Sequence, residues 1–197
     1  MTALKLSYFD FDGGRGEPAR LALRLGNIEF EDYRIPLKDW PDCKDQYPFQ
    51  QVPVLEVDGC VLTQSNAINR YIGKLTGLYP GDSWQAALCD EVMDAVDDAV
   101  QLVVDTFFVE EEEKKLRRSE LIVGPLPRYL SVLTEKLAAN GGSYFAEDRL
   151  TMADLKVYVW VQGLTKGHLD YIPTSLVADY SPGLMEYYSK LERLLRG

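Results

Sequence analysis

Residues Leu4–Phe9 alternate apolar and polar side chains, the period of a half-buried strand. Glu17–Leu25 changes to the spacing of a short amphipathic helix stopped by Gly26-Asn27, and Phe30–Ile35 returns to a strand. A polar loop, Pro36–Gln51, leads into a short apolar strand opened by the X-Pro bond of Val52-Pro53. Asp58-Gly59 offers a tight hairpin turn into a further strand, Cys60–Thr63. Ser65 then stands where an N-cap belongs, ahead of the periodic run Ile68, Tyr71, Ile72, Leu75. The order β-α-β-loop-β-β-α predicts one right-handed crossover combined with an antiparallel hairpin.

Gly77, Pro80 and Gly81 punctuate a linker at 78–83, beyond which the apolar period is helical throughout. Trp84–Glu112 reads as one long acidic helix. Leu116–Asn140 reads as a second, bent or interrupted at Gly124-Pro125 and closed by Gly141-Gly142. Thr151-Met152-Ala153-Asp154 is a capping box opening an apolar helix to about Leu164, and Pro182–Leu195 forms the last helix. No internal repeat is present. The expected architecture is α/β + all-α, with domains at 1–80 and 84–197.

Around Pro53 the pattern implies chemistry. A strand led by proline exposes backbone donors and acceptors, because proline has no N–H to give to a ladder. The helix N-terminus just beyond it presents amides and a positive dipole end, which suit a carboxylate. An edge that bonds a peptide backbone beside a carboxylate pocket is a site for a small acidic peptide.

The net charge of −10 argues against nucleic acid or an anionic membrane as partner. An anionic ligand must be held by a few placed groups. No apolar run approaches the ~18 residues of a membrane span and no signal-peptide core opens the chain, so a cytoplasmic protein is expected. Three cysteines, Cys43, Cys60 and Cys89, lack metal spacing and read as reduced structural thiols. The lone His168 cannot build a zinc site.

Tyr8 ends the first strand, either as a half-buried strand tyrosine or as a hydrogen-bond donor to a thiolate. Gly14-Arg15-Gly16-Glu17-Pro18-Ala19 matches a dinucleotide fingerprint, but the α/β part lacks a second mononucleotide half, so the match reads as a decoy. Trp40 and Lys44 share the long loop, as an incidental surface pair or a ligand contact. Asp90, Asp94, Asp97, Asp98 and Asp105 recur at helical spacing, either as a solvated face or as a face that meets a cation. Glu110–Glu113 with Lys114-Lys115 reads as a solvated helix end or turn.

Taken together, Tyr8, Val52-Pro53, Gln64-Ser65 and the Thr151–Asp154 box resemble the cytosolic glutathione transferases in order and spacing, over essentially the whole chain. Tyr8-Phe9, Asp39-Trp40-Pro41, Leu55–Gly59 and the acids at Asp94, Asp97 and Asp98 look most like the sigma class, which includes glutathione-dependent prostaglandin D synthases and S-crystallins. The resemblance implies a thioredoxin-like N-terminal domain, a helical C-terminal domain and a homodimer, with glutathione as co-substrate. It implies that Tyr8 stabilises the glutathione thiolate, that Arg15 supports it, and that Trp40 and Lys44 hold the glycine carboxylate. Gln51, Val52 and Pro53 would present the cysteinyl-binding backbone, Gln64 and Ser65 would hold the γ-glutamyl carboxylate, and Asp98 of a second subunit would meet the γ-glutamyl ammonium. Asp94, Asp97 and Asp98, doubled across a two-fold axis, could take Mg²⁺ or Ca²⁺, but hydrated carboxylates need no ion and no metal is expected.

Two departures stand out. The segment Phe9–Gly14 is one residue longer than is usual, and the chain ends at Gly197 without the covering C-terminal segment of many relatives, so an open electrophile site is expected. Its expected walls are Phe9, Phe11, Phe107, Phe108 and Trp160. The reaction implied is attack of glutathione thiolate on a small hydrophobic electrophile. A glutathione-dependent isomerase of the prostaglandin type and a non-catalytic S-crystallin-like protein are the alternatives. A disulfide reductase is disfavoured, since no cysteine stands beside Tyr8.

Overall fold

The computed structural model describes residues 2–196, and the C-terminal Gly197 lies outside them. The chain divides into two compact units, 1–81 and 82–197.

In the first unit, β1 (Leu4–Phe9) is one of two inner strands of a four-stranded mixed sheet of order β2-β1-β3-β4. It pairs in parallel with β2 (Glu31–Ile35) after the crossover helix α1 (Glu17–Leu25), and antiparallel with β3 (Val54–Val57), which turns back into β4 (Cys60–Thr63). Leu6, Leu23, Leu55, Ile68 and Ile72 are fully buried and form its core. The loop expected at 36–51 is wound into short turns around α2 (Trp40–Cys43). Such turns are too short for a period to show in sequence.

α3 (Ser65–Thr76) begins one residue differently from expectation. Gln64, not Ser65, is its N-cap, at φ 70°, and its carbonyl accepts the first helical bond from Ile68 at 3.0 Å. The chain leaves β4 and enters the helix with no intervening turn, so one residue must absorb the whole reversal. Ser65 thereby becomes the first helical residue.

The second unit is all-helical: α4 (Ser83–Val104), α5 (Glu111–Val123), α6 (Pro125–Ala139), α7 (Met152–Thr165), α8 (Leu176–Tyr180) and α9 (Pro182–Arg196). The long helix expected over 84–112 is not continuous. Thr106 turns its hydroxyl back onto the Val103 carbonyl at 2.7 Å, and the buried Arg118 donates to that same hydroxyl at 2.8 Å. Glu111, Glu112 and Glu113 then lie in the first turn of α5, where the helix dipole favours carboxylates. The acids that read as a helix end or turn are a helix start. The break at Gly124-Pro125 falls as expected, while α8 is too short to have been read.

α7 is buried on nearly every side, and its N-terminus carries the capping box. The fully buried Asp154 accepts from the amides of Thr151 (2.7 Å) and Phe145 (2.9 Å), the Thr151 hydroxyl (2.7 Å) and the Tyr187 hydroxyl. Burial outweighs these four donors and pushes the Asp154 carboxyl above the usual range. Among the described residues no helix is long and apolar enough to cross a membrane.

Candidate active site

Strand register assembles the site. Ser7 of β1 pairs with Val54 of β3, which pairs with Thr63 of β4. One step further along, Tyr8, Pro53 and Gln64 therefore stand side by side at one end of the sheet. The Val52-Pro53 bond is cis, Gln51 is extended and exposed, and Val52 is half-buried. Gln64 holds a left-handed φ that side chains other than glycine rarely adopt, a form of strain that collects at ligand sites. Beyond it the first-turn amides of α3, starting at Ser65, have no acceptor within the helix, and the dipole's positive end lies there.

Tyr8 is only 6% exposed, and its phenol oxygen accepts the Arg15 backbone N–H at 3.0 Å. The two glycines of the apparent dinucleotide fingerprint serve this ring. A Cβ on Gly16 would lie 2.6 Å from a ring carbon, and one on Gly14 (φ 63°) would overlap the hydroxyl. Only glycine lets the chain pass this close to a phenol. Arg15 itself is half-buried.

Sequence reasoning did not find Arg20. It is fully buried and lies over the Tyr8 ring at 5.6 Å. It donates to the carbonyls of Phe9 (3.1 Å) and Phe11 (2.9 Å), to Glu17 (3.2 Å) and to Asp32 (2.7 Å). Burial raises the Glu17 carboxyl despite Arg20 beside it. Burial acts the same way on Asp32, but bonds from Arg20 and Arg34 outweigh it and hold that carboxyl below the usual range. The i, i+3 spacing of Glu17 and Arg20 was the available signal, but sequence does not tell a buried pair from a solvated one.

Around the phenol the aromatic rings are connected. Phe9 lies 5.3 Å from Tyr8, Phe11 5.7 Å from Tyr8, and Trp40 packs edge-on against Phe9 at 5.2 Å and tilted against Tyr47 at 5.5 Å. Trp40 begins α2 and Lys44 follows its last residue, exposed. Ring contacts and register thus gather Tyr8, Phe9, Phe11, Trp40, Pro53 and Gln64 on one unit.

The remaining expected residues lie on the helical unit. Asp94 and Asp98 are exposed on α4, whereas Asp97 is tied at 2.8 Å to Lys156, itself buried on α7. Of these three carboxylates, Asp97 thus answers a buried ammonium of the same unit. Among the described residues no three acids, histidines or cysteines form a group suited to a metal ion. Phe107 and Phe108 are not on a helix but in the turn between α4 and α5. The Arg118 guanidinium sits 5.2 Å from the Phe107 ring, while Phe108 is 96% exposed. Trp160 is only 6% exposed, and its indole N–H has no partner among the described residues. His168 is exposed. Cys89 is buried, which pushes its thiol up to about 12.

Residues 4–74 match the N-terminal domain model of glutathione S-transferases, and residues 97–195 match a C-terminal domain model of the same family. Glutathione S-transferase 1 of Ascaris suum is 38% identical over 80% of this chain and 78% of its own. A structure of prostaglandin synthase D of Nilaparvata lugens aligns with TM-score 0.86 at 32% identity, covering 98% of this chain and 93% of its own. A Fasciola hepatica sigma class GST aligns with TM-score 0.82 at 28% identity, covering 96% and 90%. With Tyr8, the cis proline and the α3 N-terminus meeting at one sheet end of a thioredoxin-like unit, and a helical unit following, this chain belongs to the glutathione S-transferase family.

Proposed function

We propose that the chain conjugates glutathione thiolate to small hydrophobic electrophiles at the sheet end marked by Tyr8, Pro53 and Gln64. The observation that carries this is the register placing a buried phenol beside a cis proline and a helix N-terminus. In this reading the tripeptide backbone pairs with Val52 next to Gln51. Its γ-glutamyl carboxylate takes the amides of α3 at Gln64 and Ser65, and its glycine carboxylate lies between Trp40 and Lys44. The Arg15 N–H polarises the Tyr8 hydroxyl, which makes the phenol a stronger donor to sulfur. A donor aimed at the sulfur favours the anion of a thiol that otherwise ionises near 8.5. The thiolate attacks the electrophile's carbon and the leaving group departs with the bonding pair.

The test is the thiolate absorbance of bound glutathione against pH in Tyr8→Phe. We expect glutathione affinity within about twofold of the parent and a thiol pKa raised by about one unit, equivalent to ~1.4 kcal/mol less stabilisation of the anion. An unchanged titration curve removes Tyr8 from thiol activation.

The sigma-class assignment rests on the residues at Asp39–Pro41 and Leu55–Gly59 and on the Fasciola hepatica likeness. Likeness to the Nilaparvata lugens protein favours one second reading, a glutathione-dependent endoperoxide isomerase. Product analysis after incubation with an endoperoxide separates it from general conjugation. A crystallin-like role is disfavoured, because every glutathione-contact residue of the resemblance is retained.

A homodimer and a cytoplasmic location complete the proposal, with 1–80 as the glutathione domain and 84–197 supplying the electrophile pocket. Phe49, 73% exposed beside the site loop at φ 56°, is a large apolar ring that a partner subunit would bury. Asp98 from that partner would meet the γ-glutamyl ammonium. Phe9, Phe11, Phe107 and Phe108 remain the proposed electrophile walls. Trp160 fits this role less well because it is buried.

A further inference from the structure

The segment from Phe9 to Gly14 delivers the Arg15 amide to the Tyr8 hydroxyl, yet its residues 10–13 are neither strand nor helix, and Gly13 and Gly14 stand at positive φ. Such a stretch has many alternative conformations, and something must select this one. Arg20 holds it from within by two backbone carbonyls, those of Phe9 and Phe11. From the other side it is held by its own carboxylates. Arg34, opposite Tyr8 in the β1–β2 register, donates to Asp12 at 2.9 Å and to Asp32 at 2.9 Å and faces Asp10 at 3.6 Å. Asp32 in turn accepts from Arg20 at 2.7 Å, so one carboxylate joins the inner and outer guanidinium groups. The Asp10 amide also bonds the Ile35 carbonyl at 2.9 Å, fixing the point where the segment leaves β1.

We infer that Arg34 is a positioning residue for thiol activation: by clamping Asp10 and Asp12 to β2, it holds the Arg15 N–H on the Tyr8 hydroxyl. Arg34 reaches the segment through Asp10 and Asp12, and its inferred action runs through them. The inference rests on the reading that Tyr8 activates the thiol. The charged groups around the clamp are Asp10, Asp12 and Asp32, with Arg20, Arg24 and Glu17 behind Asp32. Three carboxylates around one guanidinium explain why a lysine would be a poor replacement. An ammonium is a compact point charge and cannot reproduce the planar fork that serves Asp12 and Asp32 together.

The experiment compares Arg34→Gln, Asp12→Asn and Tyr8→Phe with the parent by titrating the bound glutathione thiol and separating kcat from KM. In Arg34→Gln we expect the thiol pKa to rise by about half a unit, leaving roughly threefold less thiolate on the acid side of the titration. Turnover there should fall by about the same factor, with KM for glutathione changed less than twofold. Asp12→Asn should shift the pKa in the same direction by a smaller amount. Asp12 is exposed and its change leaves the core intact, so it decides the matter if Arg34→Gln does not fold. An unshifted pKa in Arg34→Gln, or in Asp12→Asn where that variant stands in, overturns the inference if Tyr8→Phe shifts. If Tyr8→Phe leaves the titration unchanged, the reading of Tyr8 fails first and the role of Arg34 falls with it.

Discussion

Gly16 shows how much one missing methyl group decides. Its Cα passes so close to Tyr8 that any side chain must move the ring. Gly16→Ala is expected to cost about 1–3 kcal/mol of stability, the usual range for overpacking, and, if Tyr8 has the proposed role, to lower turnover at least tenfold by displacing the phenol. Chemical denaturation and steady-state kinetics on one preparation check both. The cysteines give a second test at this scale. Cys60 is exposed, Cys43 half-buried, and Cys89 buried with its thiol pushed up to about 12. Reagents that need the thiolate should label Cys60 first at pH 8 and reach Cys89 only on unfolding, followed by mass spectrometry. Tyr8 was legible in the sequence from its place at a strand end. Arg20 was not, because nothing local distinguishes a guanidinium packed under a phenol from one in water.

At the scale of elements, the start of α7 depends on one carboxylate with four donors. Asp154→Ala leaves two amides and the Tyr187 hydroxyl buried without that acceptor, so a loss of about 3 kcal/mol or more is expected, measured by urea unfolding. On the sheet, Asp32 has its folded pKa held below the unfolded value of about 3.9. Its contribution is therefore complete above that value and lost as pH falls through the lower folded value. The stability difference between parent and Asp32→Asn should be constant from neutral pH down to about 5 and shrink below about 4; a difference that grows in acid would contradict this sign. Strands, α1 and the capping box were readable because each repeats or punctuates locally. The break after Val104 was not, since Thr106 ends the helix by bonding to Arg118, which lies 12 positions away in sequence.

For the whole molecule the net charge of −10 repels an anionic tripeptide, so the proposed site relies on the amides of α3 and a few cations such as Lys44. If a partner subunit's Asp98 meets the γ-glutamyl ammonium, Asp98→Asn should weaken glutathione binding about fivefold or more while sedimentation still reports a dimer. Full affinity in that variant, or in a dissociated monomer, removes the contact. Phe49→Ser should raise the dimer dissociation constant at least tenfold, because it strips a large apolar ring from the proposed interface.

Period, turn chemistry and capping are properties of neighbouring residues. The sequence by itself therefore determined the α/β then all-α order and the hairpin at Asp58-Gly59, and it singled out Tyr8 at the end of a strand. Tertiary structure decided what depends on approach between distant segments. It made Gln64 rather than Ser65 the cap of α3, paired Asp97 with Lys156, and turned a G-x-G motif into the seat of a phenol ring. Burial sets the cost of a charge or a methyl group, and burial comes into being only when the chain has closed on itself.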